Sequence, residues 1–203
     1  NRYSGFSIYI PERQLPNARA SRELALIIQR ELALASPISN LPVEADSPIE
    51  DQELIAVGAN GSRLSAAFLI EYGYIYESQF RTKEIREAVF NELSGRTVRG
   101  LAEYFGAPRT VAATTLLPHR WLAPLQSGIK GSREVLALQT ALHRAGLYPP
   151  VGKNLHDCPI NGTFGPCVAA SVSAFQTEHN LLPATGVVDI KTLTHLNQLY
   201  SQQ

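Results

Sequence analysis

The segment Asn161-Gly162-Thr163-Phe164-Gly165-Pro166 decides how the C-terminal third of the chain folds. Its two glycines allow a tight turn, and Pro166 suits the first turn of a helix, where its missing N–H costs nothing. On either side of this turn the sequence predicts three helices, at Glu134 to Ala145, Pro166 to His179 and Asp189 to Tyr200. Each helix has an apolar stripe at helical spacing: Val135, Leu138 and Leu142; Val168, Val172 and Phe175; Leu193, Leu196 and Leu199. Residues 131–203 are therefore predicted to form a small all-α three-helix domain with one core.

Residues 1–107 differ from this domain because strand and helix patterns alternate there. Strands are predicted at Phe6 to Ile10, Leu54 to Ala59 and Ala66 to Tyr72, and helices at Ser21 to Ala35 and Thr82 to Phe105, the latter with a break at Gly95. The run from Ala66 is almost continuously apolar, which is typical of a strand covered on both faces in a parallel sheet. The predicted fold is an α/β segment, a mixed sheet with helices, followed by the all-α domain. Residues 108–130 lose the periodicity and are predicted to be a linker.

The composition limits the kinds of partner. The chain of 203 residues has 18 basic and 18 acidic side chains, so it offers no overall field for nucleic acid or an anionic membrane. No apolar window is long enough to span a membrane, and residues 1–20 do not resemble a signal peptide. The chain lacks Met and opens on Asn1, which favours a processed or cut product. The predicted partner is largely neutral or of mixed charge.

The two cysteines, Cys158 and Cys167, lie close together around a turn-forming segment. This arrangement favours a disulfide over two free thiols and, with it, an oxidising, exported setting. A zinc site is the weaker alternative, because two thiols and the nearby His156 fall short of the four ligands of a structural zinc.

Several sequence blocks, in this order, resemble the three-helix peptidoglycan-binding domain: Val135-x-x-Leu138-Gln139-x-x-Leu142-x-x-x-Gly146, Asn161-Gly162-x-Phe164-Gly165-Pro166, Ala174-Phe175-Gln176 and Gly186-x-x-Asp189-x-x-Thr192-x-x-x-Leu196. The resemblance implies a shallow groove near the loop 161–165 that holds the stem peptide and sugar of peptidoglycan. Cys167 lies close to the position where the family usually has Thr, and residues 149–158 lengthen the first loop, which a disulfide would pin. The candidate binding residues are Gln139, Tyr148, Asn161, Gly162, Thr163, Phe164, Gly165 and Gln176.

These residues also have a purely structural interpretation. The glycines can simply permit positive φ angles, and Phe175 is typical of a core position. The amides of Gln139 and Gln176 can instead satisfy buried backbone groups.

A second resemblance covers residues 1–107. The segment Ser4 to Ile10, the helix from Ser21 and above all Ala67-Phe68-Leu69-Ile70-Glu71-Tyr72-Gly73 are similar to the second half of zinc-dependent N-acetylmuramoyl-L-alanine amidases. The resemblance implies that Glu71 is the catalytic carboxylate, which polarises a zinc-bound water. A carboxylate at the end of a buried strand loses hydration, which makes it a better proton acceptor and donor near neutrality. The structural alternative is an ion pair of Glu71 with Arg63 or Arg81.

The zinc ligands of such an enzyme are absent from residues 1–107, which contain neither His nor Cys. The resemblance implies that the ligands precede Asn1, so we expect the chain alone to hold no zinc cofactor and to be inactive. Three functions remain open: an amidase-derived wall hydrolase that needs its upstream segment, a non-catalytic wall-anchoring protein, and a helical bundle that serves protein contacts. The first two imply export to the periplasm or cell wall, with peptidoglycan as the partner.

Overall fold

The computed structural model describes residues 3–34, 45–55, 57–58, 64–108 and 116–201. The chain divides into two compact units, one of Asn1–Glu77 with Phe90–Thr114 and one of Ser78–Val89 with Thr115–Gln203. These units differ from the predicted division at residues 107 and 130. The physical reason is burial, because Trp121 and Leu125 from the predicted linker and Ile85 from the predicted α/β segment all lie in the core of the second unit.

The first unit contains a small three-stranded sheet with strands β1 (Ser7–Ile10), β2 (Ile49–Glu50) and β3 (Leu69–Glu71) in the order β2-β1-β3. β1 pairs with β2 in parallel and with β3 in antiparallel, where Ser7 lies opposite Glu71. Both apolar residues of β3 remain partly exposed, so the prediction of a parallel strand covered on both faces was wrong. A short antiparallel pairing needs cover on one face only.

The sequence also misplaced other elements of this unit. β2 lies between the predicted helix Ser21 to Ala35 and the predicted strand Leu54 to Ala59, where no strand was predicted. The described residues of the predicted strand 54–59 form a turn instead, in which the N–H groups of Val57 and Gly58 bond to the carbonyl of Leu54. The rest of that range lies outside the described residues.

One whole helix, and the part of a second helix from Phe90 onward, complete the first unit. Helix α1 (Ala18–Ala33) confirms the predicted helix and buries Leu24, Ile28 and Leu32 on one face. It begins three residues before Ser21, the predicted first residue, whose hydroxyl donates to the carbonyl of Asn17 at 2.7 Å. Helix α2 (Lys83–Tyr104) runs through Gly95 without the predicted break. A side chain at Gly100 would lie 2.9 Å from Ile28 Cγ1, so this glycine permits close packing on α1.

The second unit contains the three predicted helices, α3 (Arg133–Arg144), α4 (Pro166–Glu178) and α5 (Ile190–Tyr200). Ser132 caps α3 by accepting from the N–H of Val135 at 3.4 Å, and Pro166 occupies the first turn of α4. The predicted apolar stripes meet in one core, apart from Leu199, which is exposed. None of the described helices has the length and apolar character needed to cross a membrane.

Residues 116–132 form an extended segment that runs along these helices. Leu125 exchanges backbone hydrogen bonds with Val188 at 3.0 and 2.9 Å. Further along, the N–H of Phe164 donates to the carbonyl of Ile129 at 2.8 Å, and the N–H of Ser132 donates to Gly162 at 3.0 Å. The segment therefore ties together the two loops that follow α3 and α4.

Candidate functional site

A buried glutamine on α3 organises the predicted ligand-binding loop. Gln139 is 1% exposed. Its Oε1 accepts from the backbone N–H groups of Asn161 at 3.1 Å and Gly162 at 2.8 Å, while Nε2 donates to Tyr148 Oη and to the Pro159 carbonyl, each at 3.2 Å. A primary amide has two donors and two acceptor positions, and all four are used here. The Gln139 amide thus holds the loop and has no group left for a ligand.

Gln176 on α4 plays the same part for the loop before α5. It is also 1% exposed. Its Oε1 accepts from the N–H of Gly186 at 2.9 Å, and its Nε2 donates to the Val187 carbonyl and to Thr192 Oγ1, both at 2.8 Å. Thr192 Oγ1 in turn donates to Asp189 Oδ1 at 2.7 Å. The side chains of Gln176, Thr192 and Asp189 therefore form one network, separate from that of Gln139.

The two loops share one device, in which a buried glutamine accepts from the N–H of a glycine. Gly162 and Gly186 both have φ near +73°, a conformation that favours glycine. A Cβ at Gly162 would lie 2.8 Å from the Ser132 carbonyl oxygen, and one at Gly186 would lie 2.7 Å from that of Ala169. The same combination of a buried glutamine and a glycine therefore determines the backbone conformation of both loops.

Burial and hydrogen bonds shift the pKa of two groups in these networks. Burial raises the pKa of Tyr148, and its hydrogen bond with Gln139 acts in the opposite direction. The backbone N–H of Thr192, which donates to Asp189 at 2.8 Å, lowers the pKa of Asp189, and the Thr192 hydroxyl adds to this effect. Both shifts follow from roles within the fold, since Tyr148 is 3% exposed and Asp189 caps α5.

The remaining predicted binding residues differ in exposure. Phe164 is 1% exposed and Gly162 is buried. Asn161, Thr163 and Gly165 are partly exposed, and Asn161 Oδ1 accepts from the N–H of Thr163 at 3.1 Å, as in an ordinary Asx turn. The structure thus brings together Gln139, Tyr148 and the 161–165 loop, but only three residues of that loop keep surface for a ligand.

An open groove of about 690 Å³ lies elsewhere in the second unit, between residues 120–122 and helix α5. The α5 side of the groove consists of Leu193, Thr194, Asn197, Gln198 and Ser201, the last of which follows the helix. Asn197 fixes the opposite wall, because its Oδ1 accepts from the N–H of Trp121 and its Nδ2 donates to the Trp121 carbonyl, both at 2.8 Å. The prediction of a linker at residues 108–130 missed this groove, although an aromatic residue such as Trp121 in a linker is a signal of packing.

Trp121 itself belongs to the core beneath the groove. It is 1% exposed, and its Nε1 donates to the Glu134 carbonyl at 3.0 Å. The neighbouring His119 contacts the Glu134 carboxylate through Nε2 at 2.8 Å, and its backbone N–H donates to the Tyr200 carbonyl at 2.9 Å. Residues 119–121 are therefore held by the ends of both α3 and α5.

Cys158 and Cys167 form a disulfide with a Cα–Cα distance of 5.9 Å, which confirms the predicted pairing. It joins the end of the long first loop to the first turn of α4. Neither cysteine is therefore available as the thiolate ligand that the alternative zinc site required.

Glu71 lies at the end of β3, and its side chain is exposed to solvent. The loss of hydration expected from a buried strand end is therefore absent, because β3 has only three residues and Leu69 and Ile70 are only partly buried. No described residue of the same unit forms an ion pair with Glu71, and Arg63, one of its predicted partners, lies outside the described residues.

The described residues do not fit a zinc centre. Among them, no group of three or more His, Cys, Asp or Glu side chains is placed to hold a metal ion. Because residues 1–107 contain neither His nor Cys, carboxylates would be their only charged ligands, and these alone are a poor set for zinc.

Comparison with known proteins bears on the second unit. No curated protein and no solved structure matches the chain significantly. The comparisons give no evidence for an amidase domain, so the resemblance of residues 1–107 to that family stays a prediction. Residues 131–196, which contain helices α3 and α4 and most of α5, match the family described as a putative peptidoglycan binding domain.

Proposed function

We propose that this protein binds peptidoglycan through its second unit. The family match over residues 131–196 carries the proposal. The structure adds that the residues that carry the resemblance, Gln139 with Gly162 and Gln176 with Gly186, maintain the two loops between the three helices. The sequence blocks that resemble the family thus stabilise the loop backbone in this chain.

The proposal is tested by sedimentation of the full chain with purified peptidoglycan sacculi. We expect the protein to pellet with sacculi and to be released by soluble muropeptides, since these compete for the same site. Chitin is the matched control polymer, because it has a related glycan chain but no stem peptides. If the folded protein stays in the supernatant, the peptidoglycan proposal fails, and the alternative of a helical bundle for protein contacts gains support.

Peptidoglycan binding places the protein at the cell wall, which requires export. The disulfide between Cys158 and Cys167 supports this location, because disulfides persist in oxidising compartments and are rare in the cytosol. Determining the redox state of the two cysteines in cells by alkylation of free thiols would test this point. Two alkylated thiols in the native protein would contradict an oxidising location.

We also propose, on the resemblance alone, that residues 1–107 derive from a zinc-dependent N-acetylmuramoyl-L-alanine amidase, with Glu71 at the position of the catalytic carboxylate. Since the described residues do not fit zinc, the 203-residue chain is expected neither to retain stoichiometric zinc nor to cleave muramoyl-peptides. Metal analysis and turnover of a muramoyl-peptide test this expectation. Zinc-dependent cleavage by the chain itself would contradict it, whereas inactivity with binding also fits a wall-anchoring protein.

A further inference from the structure

The groove between residues 120–122 and α5 has the chemistry of a binding site for a small anion with an apolar part. Arg120 is exposed at its edge, and no described residue of the second unit forms an ion pair with its guanidinium. None of the groove residues is acidic. A guanidinium can donate two parallel hydrogen bonds to one carboxylate, which gives both affinity and orientation.

The rest of the groove supplies neutral polar groups and an apolar edge. Leu122 is 83% exposed, and Leu193 is partly exposed on the opposite side. The exposed side chains of Thr194 and Gln198 add a hydroxyl and an amide. Such a combination suits a short peptide with small alkyl side chains and a free carboxylate, since ligand sites typically combine apolar walls with a few polar groups.

The wall of the groove is fixed before a ligand arrives. The side-chain amide of Asn197 bonds to both the N–H and the carbonyl of Trp121, so the backbone that carries Arg120 and Leu122 is tied to α5. A rigid site lowers the entropy that binding must overcome. The predicted loop at residues 161–165 offers less, because the amides and rings proposed there are largely buried.

We infer that this groove binds the carboxylate-bearing stem peptide of peptidoglycan, with Arg120 as the carboxylate-binding residue. The inference rests on the proposed function. Within peptidoglycan, the glycan is a neutral polyol, whereas the stem peptide combines carboxylates with small alkyl side chains. Charge complementarity with Arg120 therefore favours the peptide over the sugar.

Isothermal titration of the full chain with a soluble disaccharide-peptide tests this assignment. Arg120→Gln removes the charge and is expected to weaken binding about tenfold or more, since a hydrogen bond to a charged group is lost. Arg120→Lys keeps the charge and should retain part of the affinity. Lys153→Gln, an exposed residue of the first loop outside the groove, is the charge-matched control and should bind like wild type.

Two further ligands distinguish binding of the peptide from binding of the sugar. The free stem peptide should bind and compete with the disaccharide-peptide, whereas a disaccharide of N-acetylglucosamine, which has no carboxylate, should not. The stem-peptide assignment is overturned if Arg120→Gln binds like wild type, or if this neutral disaccharide binds as well as the full unit. If wild type binds none of the ligands and no sacculi, the proposed function fails as well, so the two failures are distinguishable.

Discussion

Replacing Gln139 by alanine is expected to destabilise the second unit strongly while leaving its surface unchanged. The change removes the acceptor of two backbone N–H groups, that of Gly162 in a buried position and that of Asn161 in a partly buried one. A buried donor that loses its partner costs about 1–3 kcal/mol. The Pro159 carbonyl keeps a partner, because Tyr148 Oη also donates to it at 3.2 Å. The expected loss in free energy of unfolding is therefore about 2–4 kcal/mol, the full cost of one donor and a smaller cost for the other.

The assay uses the only tryptophan of the chain. Trp121 is buried in the second unit, so its fluorescence during urea denaturation follows the unfolding of that unit. Gln126→Ala removes the same side chain from an exposed position and serves as the control, with an expected change within about 0.5 kcal/mol. A Gln139→Ala variant that unfolds at the same urea concentration as Gln126→Ala would refute the assignment of Gln139 as the residue that satisfies the loop backbone.

Two further predictions concern the same unit. Reduction of the Cys158–Cys167 disulfide, or its replacement by two alanines, should lower the free energy of unfolding by about 2–3 kcal/mol, because a loop of about ten residues is no longer closed in the unfolded chain; equal urea midpoints with and without reductant would contradict this. Asp189→Ala should cost about 1 kcal/mol at neutral pH through loss of the α5 cap, whereas Asp189→Asn keeps a capping side chain. Because the folded state lowers the pKa of Asp189, the contribution of its charge to stability is present at neutral pH and is lost as the pH falls through that lowered pKa. The difference in free energy of unfolding between wild type and Asp189→Asn should therefore shrink below about pH 4. A difference that does not depend on pH would count against the cap.

The sequence determined the helices of the second unit because their signals are local. The ends of these helices can be placed within about two residues from three local signals. These signals are apolar residues at helical spacing, Pro166 in a first turn, and an acidic or hydroxyl residue before each of the other two helices. The disulfide could also be predicted from the sequence, since Cys158 and Cys167 are only nine positions apart. Residues 131–196, which match the family described as a putative peptidoglycan binding domain, contain most of these helices.

The sheet of the first unit was harder to predict from the sequence because strand pairing is not local. β2 has two residues and gains its partner from β1, about forty positions earlier, so its own sequence contains almost no strand signal. The apolar run around β3 indicated a buried strand, but what packs against each face of the sheet decides the exposure of its side chains. The exposure of Glu71, on which its expected desolvation depended, was therefore not determined by its own segment.

The candidate site shows the same division between local and long-range information. The sequence indicated that Gln139 and Gln176 matter, but it left open whether they face a ligand or the backbone, because both roles use the same amide. Only the tertiary structure decided, by placing both side chains in the core against loop N–H groups. The groove at Arg120 depends on contacts between Trp121 and Asn197, which are 76 positions apart, and packing across such a distance leaves no pattern in either segment alone.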